Sequence, residues 1–226
     1  MGYGVKFRVW GDYACFSRPE FKIERVSYDI ITPSAAKGIL DCIYWKPAIK
    51  WHIDKIHVIN PIKFTNIRRN EVSETAKLSM VNQIMKEPKQ YCIVATENRH
   101  QRAALILRDV EYVIEAHFEL VPEKAGETDT VEKHYSIIMR RLRKGQFFQK
   151  PFLGTREFGC SFELIEENED IPKSCMSGER DLGYMLYDIN YKIDEKKERQ
   201  WVEPEFFRAV LCDGILEVRD VSGVVR

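Results

Sequence analysis

The stretch 133–145, KHYSIIMRRLRKG, places a Lys-His pair ahead of four further cations with no acid among them. An imidazole, with an ordinary pKa near 6.5, moves protons at neutral pH. An ammonium beside it stabilises developing negative charge. Arg140, Arg141, Arg143 and Lys144 then offer the donors that hold a phosphate backbone. A phenol stands elsewhere, Tyr44 in IYWKP (43–47). With a pKa near 10 it is a poor base unless cations depress it, but it can orient a hydroxyl. Tyr44, Lys133 and His134 together suit one metal-free reaction, attack of a ribose 2′-hydroxyl on the adjacent phosphate. The protein would remove the hydroxyl proton, protonate the 5′-oxygen leaving group and neutralise the phosphorane. The residues alone leave a blander reading open: a solvated basic face, a surface histidine and a border tyrosine that packs.

Two helices must position these groups. The first is expected within TPSAAKGILDCIYWKP (32–47), with Thr32 as N-cap, Pro33 at the first helical position and Pro47 past the end. Ala36, Ile39, Leu40 and Ile43 form its apolar stripe, and Tyr44 falls about 90° from the stripe centre, on the side of Lys37. The second helix is expected from near Thr130 to Gly145, capped by Asp129 and Glu132. Val131, Tyr135, Ile138 and Leu142 form its stripe. His134 falls about 70° from the centre, a border position shared with Arg141.

Around the helices, alternation and β-branched content predict strands at 5–11, within 49–67, at 91–96, 103–120 and 158–165. A turn-rich loop is expected over 11–21, a short helix over 74–86, and an edge or bulge at Pro61. The order strand, helix, strand, strand, helix, strand is the ferredoxin-like pattern, with an insertion near 70–100. The fold class expected is α+β. Residues 1–165 are expected to form a ferredoxin-like domain, and 166–226 a small antiparallel β-sheet extension with a hairpin turn at Asp213-Gly214.

The chain has 226 residues and zero net charge, from 35 basic and 35 acidic residues, so it is not uniformly basic. Its charge is nevertheless segregated. Lys133, Arg140, Arg141, Arg143, Lys144, Lys150 and Arg156 run without an intervening acid, and residues 46–69 carry six cations against Asp54 alone. The six cysteines lack Cys-x-x-Cys spacing, which points to a reducing compartment. The N-terminus is too charged for a signal peptide and no apolar run is long enough to span a membrane, so a cytoplasmic location is expected. His52, His57, His100 and His117 have no partner at metal-ligand spacing, and His117, in an apolar run, reads as structural. No phosphate-binding glycine loop and no Gly-x-Ser-x-Gly occurs. No metal site or cofactor is expected.

GDYACF (11–16), IYWKP (43–47), RDVEYVIEAHFEL (108–120), KHYSIIMRRLRKG (133–145), FLGTRE (152–157), LGYMLYDINY (182–191) and FFRAVLCDGILEV (206–218) stand in an order that closely resembles one family. It is the Cas five-d branch (subtype I-C, or Dvulg) of the CRISPR-associated RAMP proteins. The resemblance covers nearly the whole chain. It implies a metal-independent endoribonuclease that cuts CRISPR repeat hairpins in precursor crRNA. The product is then retained as the protein becomes a subunit of the type I-C surveillance complex, beside its backbone and large subunits. The family's catalytic Tyr maps to Tyr44 and its Lys-His pair to Lys133 and His134. Lys37, Lys46, Arg140, Arg141, Arg143, Lys144 and Arg156 are the expected RNA-binding cations. The rival is a non-catalytic subunit that holds the crRNA 5′ handle, and the basic surface also allows DNA binding through phosphates. One departure stands out. Many relatives carry a Gly-Gly-Arg-Arg-Asp type loop after the basic helix, where this chain has Gly145 followed by Gln146, Phe147 and Phe148.

Overall fold

Alternation in the first strand sets the sheet. In β1 (Gly4–Ala14), Val5, Phe7 and Val9 are buried, while Lys6 and Arg8 face outward. The computed structural model describes residues 3–21, 23–75, 77–86, 92, 94–194, 199–219 and 224–225. A short β2 (Arg25–Val26) leads to α1 (Pro33–Ile43), then β3 (Ile49–Val58), β4 (Phe64–Val72) and α2 (Leu78–Lys86). β5 (Arg99–Leu120) follows, with 22 residues, and then α3 (Val131–Arg143) and β6 (Ser161–Leu164).

β5 organises the molecule. Its second half pairs antiparallel with β3 and its first half with β4, while β1 runs along its other edge. Asp109, at φ +53, marks where the strand passes from one partner to the other, and Asn60 Nδ2 donates to its carbonyl at 2.9 Å. The sheet runs β6-β1-β5-β3, and every pairing along it is antiparallel. Both α1 and α3 bury their apolar faces in one core with this sheet. Ile39, Leu40 and Ile43 meet Phe7, Ile114, Ile138 and Leu142 there, each fully buried aliphatic side chain being worth about 1.5–3 kcal/mol. The architecture is α+β, a mostly antiparallel sheet with few helices.

The C-terminal strands extend the sheet. β7 (Glu179–Asp194) pairs with β8 (Arg199–Cys212), and β9 (Ile215–Glu217) bridges β8 to β3. The turn before β9 is Asp213-Gly214, both residues at positive φ (48° and 79°) as the expected hairpin requires. A Cβ at Gly214 would lie 1.9 Å from Ser174 Oγ, so only glycine fits.

Several boundaries differ from expectation. β1 runs on to Ala14, through the first four residues of the expected loop, because Tyr13 and Ala14 still pair with β5. Residues 49–72 form two strands, and Pro61 lies in the connection between them. α2 begins at Leu78. Of the strand expected over 91–96, Tyr91 and Ile93 lie outside the described residues, and from Val94 the chain turns, Glu97 N and Asn98 N both bonding to its carbonyl. His117 does not sit in an apolar setting. It bonds Asp54 at 2.9 Å and stacks on His52, because cross-strand pairing brings polar neighbours to it. Among the described residues, no helix is long and apolar enough to cross a membrane.

Candidate active site

The chain enters α3 through Thr130, whose Oγ1 accepts from Lys133 N at 3.3 Å. Thr130 therefore does the capping expected of Asp129 and Glu132, since its hydroxyl is the one that reaches the free amide. Asp129 is used differently. Its Oδ2 accepts from Gly126 N at 3.1 Å, and its Oδ1 accepts from Lys133 Nζ at 3.0 Å. α3 ends at Arg143, with Gly145 left-handed at φ +59.

α1 starts as the sequence predicts, with Thr32 Oγ1 accepting from Ala35 N at 3.1 Å and Pro33 at the first position. Its end differs. Tyr44 is already extended (φ −151, ψ 109), although its N–H still donates to Leu40 O at 2.7 Å. The 100° rule therefore no longer sets its direction. The phenol turns inward and is 2% exposed, while Trp45 is left 59% exposed. Trp51 Nε1 fixes the Tyr44 carbonyl at 3.0 Å. Arg141 lies over the Tyr44 ring, 5.2 Å from its centroid, and donates to the Ile43 carbonyl.

His134 is also buried, at 1% exposure, rather than on the border. Tyr44 and the edge of Phe118 cover it, and a helical wheel cannot register a neighbour from another element. Tyr44 Oη and His134 Nδ1 lie 2.6 Å apart, joining residues 90 positions apart in the chain. On the other side of the ring, Nε2 faces Asp129 Oδ1 at 3.4 Å but makes no hydrogen bond among the described residues. The array runs Tyr44, His134, Asp129, Lys133.

Burial pushes the His134 pKa down, and the charges of Lys133 and Lys46 add to this while Asp129 opposes it. Burial also raises the Tyr44 pKa, with Arg141 opposing. Both groups are therefore neutral at pH 7. A neutral phenol has a proton to donate, and a carboxylate only accepts. The arrangement thus favours Tyr44 O–H donating to Nδ1, with the ring proton on Nε2 toward Asp129.

These groups line a cleft of about 450 Å³ together with Lys46, Lys124, Arg140 and Arg141. Among the predicted RNA-binding residues, Lys46, Arg140 and Arg141 thus meet Tyr44, Lys133 and His134. Others do not. Lys37 is bound to Asp188 of β7 at 2.7 Å, and Arg143 clasps Glu166 at 2.6 and 2.9 Å. Lys144 is exposed at the α3 C-cap, and Arg156 is exposed in the following loop. The sequence reading missed Asp129 and Lys124 as parts of the site. Asp129 had a signal, its i,i+4 spacing from Lys133. Lys124 had none, since a 3₁₀ turn at Pro122–Lys124 brings it in.

Residues 4–219 match the family profile described as "CRISPR-associated protein (Cas_Cas5)", Cas5d in its short form. A "CRISPR pre-crRNA endoribonuclease Cas5d" of Mannheimia succiniciproducens is 47% identical over 223 residues, covering 96% of each chain. A protein of the same description from Thermus thermophilus is 37% identical over 226 residues, covering 95% of this chain and 90% of its own. The crystal structure of a CRISPR-associated protein superposes with a TM-score of 0.66 at 23% identity, over 99% of this chain and 96% of its own, a likeness of fold.

Proposed function

The chain belongs to the Cas5d family of CRISPR-associated proteins, and on that premise we propose how its cleft cuts RNA. It is a pre-crRNA endoribonuclease, like the two relatives of that description that align over nearly the full length. The observation that carries the site is the 2.6 Å contact between Tyr44 Oη and His134 Nδ1, within a cleft lined by cations.

Because Tyr44 occupies Nδ1, Nε2 is the nitrogen left for the RNA; it is buried facing Asp129, so substrate binding must uncover it. There the imidazole switches to its Nδ1–H tautomer, donating to Tyr44 Oη, so that Nε2 takes the proton from the 2′-hydroxyl and the imidazolium then returns it to the 5′-oxygen. The 2′-oxygen bonds to phosphorus and the bond from phosphorus to the 5′-oxygen breaks, leaving a 2′,3′-cyclic phosphate and a 5′-hydroxyl. Tyr44 is a positioning residue here: its burial and its bond to the imidazole support a role through His134 rather than on the substrate hydroxyl. Lys133, now held by Asp129, turns to the phosphorane, and Lys46, Arg140 and Arg141 hold flanking phosphates. No step calls for a metal. The order β6-β1-β5-β3 with all-antiparallel pairing supports reading 1–165 as ferredoxin-like, with 166–226 as a β-rich extension. The cut RNA then stays bound as the protein joins a surveillance complex.

The test is cleavage of the host's repeat RNA in excess EDTA by the parent and by His134→Ala. The parent cuts once to a cyclic phosphate. The variant binds normally but cuts about 10²- to 10⁴-fold more slowly. A 2′-deoxy substitution at the scissile nucleotide must abolish cutting, and persistent cutting would falsify the mechanism. If neither protein cuts but both bind, the chain is a 5′-handle-binding subunit.

A further inference from the structure

Residues 143–150 are exposed one after another, yet their backbone is pinned. Gln146 N donates to Arg141 O (2.9 Å) and Gly145 N to Leu142 O (3.4 Å), a Schellman pair made possible by the left-handed Gly145. Phe148 N and Gln149 N then both donate to Cys42 O in α1, at 2.9 and 3.1 Å. Phe147 uses its ring locally, edge-on to Phe162 at 6.5 Å. Phe148 is 85% exposed, more than any other large apolar side chain among the described residues. A fixed backbone thus holds an apolar ring out in water.

The surroundings indicate what would cover that ring. Arg140 stands on the last turn of α3 and Lys144 at its C-cap, and Arg156 lies close enough to Cys42 for its charge to bear on that side chain. No acid occurs in the sequence between Lys133 and Arg156. The next one, Glu157, is taken by Arg69. The buried centres of protein interfaces are depleted in charge, and lysine is depleted across them. Single-stranded nucleic acid, in contrast, is held by cations tracking its backbone and by aromatic faces under its bases. The loop also adjoins the cleft. Cys42 O holds the Phe148 backbone, and the next carbonyl, Ile43 O, accepts from Arg141 over Tyr44.

We propose that Phe148 is a stacking platform for an unpaired nucleobase of the RNA substrate, close to the scissile phosphate. The inference rests on the reading of the cleft as an RNA site and deepens it.

The experiment measures repeat-RNA affinity and single-turnover cleavage, protein in excess, with the full chain, using RNAs that carry 2-aminopurine at successive unpaired positions. Base stacking converts to about 5- to 160-fold in affinity. Phe148→Ala should weaken binding by that factor, with the loss falling on the half-saturating protein concentration rather than on the maximal single-turnover rate. Phe148→Tyr should restore it and Phe148→Leu should not. One 2-aminopurine position should be quenched by the parent and released by Phe148→Ala. Unchanged affinity in Phe148→Ala, or equal rescue by Leu, overturns the proposal. So does a loss confined to association with other complex subunits at unchanged RNA affinity, which would make the ring a protein contact. A parent that neither binds nor cuts the RNA overturns the reading of the cleft itself, and that outcome is visible before any Phe148 variant is made.

Discussion

Asp129 holds two of the proposed reacting groups at once: Lys133 Nζ by a 3.0 Å hydrogen bond and His134 Nε2 across 3.4 Å. The groups facing His134 come from several elements: Tyr44 from the end of α1, Lys46 from the segment after it, Phe118 from β5, and Lys133 and Asp129 from the start of α3. Among the charges, only Asp129 favours the imidazolium. Burial and the two lysines oppose it. Removing the carboxylate therefore lowers the His134 pKa further. Asp129→Asn should move the acid limb of the single-turnover cleavage rate, where the rate falls as His134 takes up a proton, to lower pH. The neutral-pH rate should drop by on the order of 10- to 100-fold as Lys133 and the imidazole lose their fixed geometry. A pH–rate profile separates this from a merely structural role. A variant slowed equally at every pH, with its acid limb unmoved, would show that Asp129 does not act on His134.

α1 carries a conflict that its own sequence makes visible. Asp41 lies in the last turn, where helix carbonyls disfavour an anion, and no base occupies that turn. Burial, aided by Asp188 and opposed by Lys37, raises its carboxyl pKa to about 6. The folded pKa thus lies above the unfolded value of 3.8, so the group's contribution is fully present below that value and is lost as pH rises through 6. At neutral pH the ionised carboxylate is a net cost. Asp41→Asn should stabilise the protein at pH 7.5 by about 1 kcal/mol. A Tm gain of about 2–4 °C is expected for a chain of this size, vanishing near pH 4. Equal Tm shifts at both pH values would mean that the charge is irrelevant. Local features of this kind were legible in the sequence. The Thr32 cap, Pro33 and the Asp213-Gly214 turn each depend on a few consecutive residues. The α1 terminus was not, because Tyr44 is pulled out of the helix by Arg141 and His134, both remote in the chain, and by Trp51 seven residues on. The burial of His134 depends in the same way on Phe118. The i,i+3 choice between Thr130 and Asp129 as cap turned on which oxygen reached an amide.

Across the whole molecule, zero net charge conceals a division between cations that are spent and cations that are free. Sequence located the basic segments but could not say which members would find acids, since Asp188 lies 151 residues from Lys37 and Glu166 lies 23 from Arg143. Those two cations are already paired and would have to break an ion pair to meet phosphate. Lys46, Arg140, Arg141, Lys144 and Arg156 lie in the cleft or beside it, and no acid pairs with them among the described residues. Counterion release gives about 0.7 in the slope of log affinity against log salt for each contact to single-stranded RNA. Five contacts would give a slope of roughly −3.5, and Arg140→Ala should make it shallower by about 0.7. Lys37→Ala should leave the slope unchanged, although it too removes one positive charge from the same protein. Measuring repeat-RNA affinity between about 50 and 200 mM salt for the parent and both variants decides the matter. If Lys37→Ala and Arg140→Ala flatten the slope equally, total charge governs binding and the arrangement of ion pairs does not.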